Sequence, residues 1–409
     1  YIKNNISEPN GKGNTYYVAT NGSNSNSGTS LGRPWKTITH AADKAQAGDI
    51  VYIKAGDYGK ETVVVKNSGK ADNPIKFLGY KSSPGDRPTL KRSQTTSFSA
   101  SQMPYIHSSK EGGSGFSAFN KSYIIIRNIQ VDGYKNSIDI GKSSYCIVDN
   151  CYAKNGKTNI SDFPYFTSVQ NRIINSYVSN GSHNGVYMTG SRHLIDNVYA
   201  SSKGKPDMDY YLVIVGGDVG IGEHIIRNCE VVRDLNDSHP GHGISLKAQG
   251  KDIGYSLVEK SKITNVGMSL EARHSGSMNN VYKDIEISNN GATAGIGIQI
   301  TSATNSIFER IHVEKKSFAI KFLGSTEDMA AKDAGRGNLI RNCIFTNNSV
   351  NINIIEDLGK KNRTPKNNTI ANSVFDNALG MYSIGSNDKG QNNLIINSIL
   401  HDIKDEYYG

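Results

Sequence analysis

Lys247 and Arg273 each stand three residues before a glycine, in GHGISLKAQG (241–250) and SLEARHSG (269–276). Aligning the closing glycines places the two cations on adjacent rungs. Like charges so close repel, and a partly desolvated lysine beside an arginine has a lowered pKa. A neutral lysine is a base, and an arginine is a bidentate clamp for a carboxylate. Together they suit removal of a proton α to a carboxylate. That step needs the carboxylate charge neutralised, because the intermediate carries still more negative charge. His242 lies on the lysine's strand and would assist Arg273. Tyr210 opens the corresponding strand one repeat earlier and would return a proton to a leaving oxygen. The catalytic candidates are therefore Lys247, Tyr210, Arg273 and His242. The substrate-binding candidates around them are His183, Asn184, Tyr187, Tyr211, Gln249, Lys251 and His274. Tyr187 and Tyr211 compete with Tyr210 for its role.

These residues need a scaffold that stacks short strands in register. From Tyr123 a pattern recurs, as in YIIIRNIQVDG (123–133), NRIINSYVSNG (171–181), HIIRNCEVVRD (224–234) and NLIRNCIFTNNS (338–349). The central polar residue falls at 128, 150, 175, 197, 228, 260, 284, 310, 342, 372 and 397, a spacing of 22 to 32 residues. A period in this range, with short alternating strands and no helical pattern between them, indicates a solenoid. Each unit adds a second strand, such as GVYMTGS (185–191), GISLKAQG (243–250) or GIGIQITSA (295–303). The expected fold is all-β: a single-domain right-handed parallel β-helix of about 11 or more coils. Residues 1–60 would form a strand and helix cap, and 61–409 the coils. Pro34–Gly48 reads as the capping helix, with Trp35, Ile38, Ala42 and Ala45 on one face.

The polar anchor is Asn in most copies, and stacked Asn side chains can bond one another and the turn backbone. The next column holds Ile129, Cys151, Ser176, Val198, Cys229, Ser261, Ile285, Ile311, Cys343, Ser373 and Ser398. It is small or apolar, so its cysteines are core filler, and each serine needs a local hydrogen bond. Two long spacings come from the insertions Ser201–Asp209 and Asp234–Pro240, which lead into the strands of Tyr210 and Lys247. Extra length on one side of a regular stack often builds a site.

Composition agrees. Of 409 residues 36% are hydrophobic, with 42 Gly and 10 Pro, which suits a turn-rich β chain. The net charge of +9 favours an acidic partner. The charges are scattered and no nucleic-acid reader motif appears, which argues against nucleic acid. No apolar run approaches a membrane span, so no membrane partner is expected. The four cysteines show no C-x-x-C or zinc spacing. The chain opens at Tyr1 with no visible signal peptide, as a mature or trimmed secreted protein would. A capped solenoid of this kind is expected to be a monomer.

The opening YYVATNGSNSNSGTSLGRPWKTITHAADKAQAGDIVYIKAGDY resembles the N-terminal region of secreted polysaccharide-active β-helix proteins. The outward lysine and arginine of GISLKAQG and SLEARHSG resemble the base and acid of β-helix lyases in alginate and chondroitin lyase family 6. That family places acidic calcium ligands five and seven residues before the lysine, where this chain has His242 and Pro240. A Tyr–Lys pair in a calcium-free β-helix is most similar to alginate lyase family 31. That resemblance implies Tyr210 and Lys247 as the catalytic pair, alginate as the substrate, β-elimination as the reaction and no cofactor.

Three rivals share the fold. A mannuronan C5-epimerase begins with the same proton abstraction. GHGIS also resembles a segment of β-helix pectin hydrolases. Hydrolysis needs paired carboxylates, however, and neither the paired Asp motif nor the Arg-x-Lys signature accompanies Asp207, Asp209 and Asp218. A non-catalytic polysaccharide binder would present aromatics and amides without a base.

Overall fold

The computed structural model describes residues 12–109, 112–163, 167–204, 208–218, 222–248, 252–274, 276–324, 335–355, 365–385 and 392–407. The chain divides into two compact units, one ending at Met208 and one beginning at Asp209. Both are stacks of short parallel strands, the right-handed parallel β-helix fold that the repeat predicts.

In the first unit β1 (Thr15–Val18) pairs in parallel with β2 (Ile50–Lys54). Between them lies α1 (Ile38–Lys44), which buries Ile38, Ala41 and Ala42 against β1 and the strand at Val63–Val64. The helix is shorter than Pro34–Gly48. Thr37 is its N-cap and accepts the His40 N–H at 3.2 Å. Trp35 instead bridges Val18 as a strand residue and donates its indole N–H to Asn26 at 2.9 Å. Four further strands, β3 (Ser114–Ser117), β4 (Asn136–Asp139), β5 (Thr158–Ser161) and β6 (Asn184–Gly190), pair successively in parallel. Inside the same coils Ile126, Val148, Ile173 and Ile195 stand in one buried column. Each such side chain contributes about 1.5–3 kcal/mol by leaving water.

The second unit holds β7 (Tyr210–Gly216), β8 (His242–Lys247), β9 (Met268–Arg273), β10 (Ile296–Thr301), β11 (Phe318–Leu323) and β12 (Val350–Ile355). They pair in that order, all parallel. Leu212, Ile244, Leu270, Ile298, Ile320 and Ile352 form the inward column.

The anchor column has a conformational cause beyond side-chain stacking. Asn128, Asn150, Asn175 and Asn197 have φ of 57°, 50°, 51° and 55°, and in the second unit Asn228, Lys260, Asp284 and Arg310 have 53°, 50°, 56° and 51°. Left-handed backbone is costly for most L-residues and least so for Asn and Gly. Stacking is present as well: Asn150 Nδ2 donates to Asn128 Oδ1 at 2.7 Å, and Asn197 Nδ2 to Asn175 Oδ1 at 2.9 Å. The serines of the next column find their local bond. Ser176 Oγ donates to the Ile174 carbonyl at 2.8 Å and accepts the Cys151 N–H at 3.1 Å. All four cysteines are buried thiols. Burial pushes Cys146 and Cys151 up to about 12, so they are core filler and not nucleophiles.

Candidate active site

The second unit sets Lys247 beside Arg273, as the glycine alignment predicts, with Ser245 opposite Glu271 and His242 opposite Met268. One strand earlier Tyr210 lies opposite His242. Simple alternation would turn His242 to the side of buried Ile244. The strand pairing skips Gly243, as it skips Tyr211, Ser269, Gly297, Ala319 and Asn351 at the same place in the column, so the break in alternation recurs in each of these coils. His242 thereby joins Ser245 on the outer face, where both reach the Glu271 carboxylate.

The entry to β8 is fixed from below. Arg233 Nε donates to the His239 carbonyl at 2.7 Å, and its other nitrogens donate to the carbonyls of Asp237 and Asn265. One arginine thus shapes the inserted loop 234–240. The His242 N–H then donates to the Asp209 carbonyl at 2.7 Å.

Tyr210 is the hub of the cluster. Its ring stacks on His242 with centroids 4.4 Å apart. Lys247 Nζ stands over the same ring, 5.5 Å from its centre, and Arg273 Nη1 donates to the phenol oxygen at 3.1 Å. Tyr210 and His242 are buried and form a floor, while Lys247 and Arg273 are partly exposed above it.

Beneath them lies a residue that alternation misjudges. Glu271 points outward from the core yet is 0% exposed. Its carboxylate receives His242 Nδ1 at 3.0 Å, Ser245 Oγ at 2.8 Å and Gln299 Nε2 at 3.2 Å, and it lies 3.8 Å from Arg273 Nη1. Burial alone would push this carboxyl up. The His242 hydrogen bond and charge, the Arg273 charge and the Ser245 hydroxyl outweigh burial and hold it below its usual range. A buried anion is how the fold keeps the cations of this face together. Because Glu271 takes the Nδ1 proton, Nε2 is turned toward Asp209, whose Oδ1 is 3.8 Å away. The sequence signal for Glu271 is its place two residues before Arg273.

The binding candidates fare unevenly. Tyr211 is 1% exposed and packs in the interior, and Asn184 is 3% exposed with its Nδ2 on Thr158 Oγ1 at 3.2 Å, so both are corrected to structural residues. The alternation that would have aimed Tyr211 outward fails at the same skipped position as Gly243. His274 is also buried, in left-handed backbone with φ of 71° at the end of β9. Its backbone N–H donates to the Thr301 carbonyl at 2.7 Å. His183 is exposed in the turn before β6. Tyr187 is partly exposed, edge-on to Phe163 at 5.1 Å, and burial pushes its hydroxyl up to about 12. His183, Asn184 and Tyr187 all belong to the first unit, whereas the cluster around Tyr210 is built wholly within the second. Gln249 and Lys251 lie outside the described residues. Among the described residues no three His, Cys, Asp or Glu side chains are grouped to hold a metal ion.

Comparison with known proteins places the fold. Residues 16–177 match the family described as Pel9A-like, right handed beta helix region, a stretch that ends before Tyr210. Seventy residues are 46% identical to the uncharacterized protein YwoF of Bacillus subtilis (strain 168), covering 17% of this chain and only 14% of that protein. Among solved structures, the A-module of mannuronan C-5 epimerase AlgE6 from Azotobacter vinelandii superposes with a TM-score of 0.52 at 10% identity, over 88% of this chain and 92% of that one. The PL6 family alginate lyase AlyGC gives 0.54 at 14% identity, over 91% of this chain, which spans about half (52%) of the enzyme. At these identities the likeness is one of architecture: the chain shares the parallel β-helix of these proteins.

Proposed function

We propose that this protein is a secreted polysaccharide lyase that cleaves an acidic uronate polymer, alginate, by β-elimination. The observation that carries the reading is the convergence of Lys247, Arg273 and His242 on the ring and hydroxyl of Tyr210. A binder has no need of a lysine packed beside an arginine over a tyrosine. A hydrolase needs two accessible carboxyls, and Glu271 is sealed under the floor.

Arg273 binds the uronate carboxylate, with His242 assisting, and so stabilises the charge that develops when C5 loses its proton. Lys247, in its neutral form, takes that proton. The electron pair forms the C4=C5 double bond and the C4–O4 bond breaks. The Tyr210 oxygen accepts from Arg273, so its own O–H proton is the one to transfer to the departing O4. The products are an unsaturated uronate end and a new hydroxyl end. No metal ion takes part in this scheme, and the enzyme acts as a monomer outside the cell.

The test is product chemistry. With alginate, pectate and chondroitin sulfate as substrates, ultraviolet absorbance of unsaturated uronate should rise on alginate and survive chelator. New reducing ends without absorbance would mean hydrolysis. A changed mannuronate to guluronate ratio without cleavage would mean epimerisation.

A further inference from the structure

The outer face of the second unit continues past the cluster in two lanes. The polar lane runs Ser245, Glu271, Gln299, Lys321, each opposite the next on β8, β9, β10 and β11. The apolar lane runs His242, Met268, Ile296, Phe318 on the same strands. The last three are partly exposed, so a non-polar strip leads away from the histidine along the stack.

Lys321 is the lane's one cation on these four strands, and Asn353 continues the lane on β12. The Lys321 ammonium stands over the Phe318 ring at 5.8 Å from the centroid, and the residue is partly buried. Among the described residues no acidic side chain pairs with it; burial alone pushes its pKa down. A partly desolvated cation without an anion costs stability that a solvated lysine would not. An aromatic face beside such a cation is the chemistry that receives a sugar ring carrying a carboxylate.

We propose that Lys321 and Phe318 form a second uronate subsite, two coils along the stack from Arg273, in which Lys321 binds a carboxylate and Phe318 stacks on the ring of the same sugar. The inference rests on the reading of the Tyr210 cluster as the site of reaction on a uronate polymer. Two coil spacings are about 10 Å, and one coil advance is close to the length that a 1,4-linked pyranose adds to an extended chain. The subsite therefore takes the second sugar beyond the one held by Arg273. Gln299 occupies the rung between and is committed to Glu271 and Thr301.

Calorimetric titration of Lys247→Ala protein with uronate oligosaccharides of graded length tests this without turnover. Affinity should rise about tenfold when the oligosaccharide first becomes long enough to reach Lys321. In Lys247→Ala/Lys321→Ala that step should vanish while shorter oligosaccharides bind unchanged, and Lys321→Arg should retain it. Phe318→Ala should also lower the step, and neutral 1,4-linked oligosaccharides of equal length should show no dependence on Lys321. An undiminished step in Lys321→Ala, with an unaltered melting temperature, overturns the subsite alone. Failure of the wild-type protein to bind or cleave any uronate chain would instead overturn the reading of the Tyr210 cluster, and the subsite with it.

Discussion

Each unit of this protein contains a histidine beside a buried carboxyl, and the two pairs are opposites. In the first unit Asp162 accepts Ser168 Oγ at 2.6 Å and Asn171 Nδ2 at 3.0 Å, with His193 Nε2 at 3.7 Å. His193 accepts the Asn171 N–H on Nδ1 at 3.1 Å and donates from Nε2 to the Thr189 carbonyl at 2.9 Å. Both of its nitrogens are spent on backbone. Burial dominates: it pushes the Asp162 carboxyl well up, aided by the Asp139 charge, and lowers His193 to about 4. In the second unit Glu271 is as deeply buried, yet it is held below its usual range because cations surround it. The first pair is a packing network closed on its own neighbours. The second is a charged foundation under groups that reach solvent. A histidine and a carboxyl make a candidate site when the carboxyl is held ionised beneath groups that reach solvent.

The comparison yields its largest break at Lys247. Lys247→Ala should lower lyase turnover about 10³-fold and leave the melting temperature unchanged, whereas His193→Gln should lower stability and leave turnover per folded molecule intact. Stopped assays beside thermal melts of both variants separate the two roles.

Next in size, Glu271→Ala should destabilise by about 3–5 kcal/mol, because it strands the charges it pairs with; urea denaturation at neutral pH measures this. Its pH dependence follows from the lowered native pKa. The contribution is complete above the unfolded value of 4.5 and fades as pH falls through the depressed native value. Asp162 carries the reverse sign: its contribution is complete below 3.8 and is lost as pH rises through its raised native value.

His193 gives a third, slightly smaller effect. Its native pKa is lowered from 6.5 to about 4, so its stabilisation is present above pH 6.5 and lost as pH falls through about 4. The total is about 3 kcal/mol at 1.36 kcal/mol per unit. Denaturation curves of His193→Gln should be flatter than wild type across that window.

Much of the fold was legible because a β-helix writes its geometry into period. The anchors at 128 to 397 located the coils from Ile124 onward, but not the earlier strands Ile50–Lys54 and Ile75–Tyr80, which stack in parallel with them. What the spacing could not express was why Asn recurs: the position demands left-handed backbone, as Lys260 shows by occupying it without an amide. Lys260→Asn should therefore stabilise by about 0.5–1 kcal/mol, the smallest effect predicted here, read as a raised melting temperature. The helix was over-extended because Pro34 and Trp35 fit a helical pattern, while the Trp35 bridge to Val18 draws them into the sheet.

Within the site, register placed Lys247, Arg273, Tyr210 and His242 together. It failed for Tyr211, where the strand skips a position, and for Glu271, because facing outward from a core is not the same as facing water. Burial of an outward residue depends on neighbours from two other strands, here His242 and Ser245 on one and Gln299 on the other, and no local pattern encodes that.

The central claim is that Lys247 abstracts a proton on the face organised by Tyr210 and Arg273. Initial rates of ultraviolet absorbance on alginate, for wild type and Lys247→Ala at equal folded concentration, test it most directly. The account predicts a steady rise for wild type and almost none for the variant. A variant as fast as wild type would contradict it.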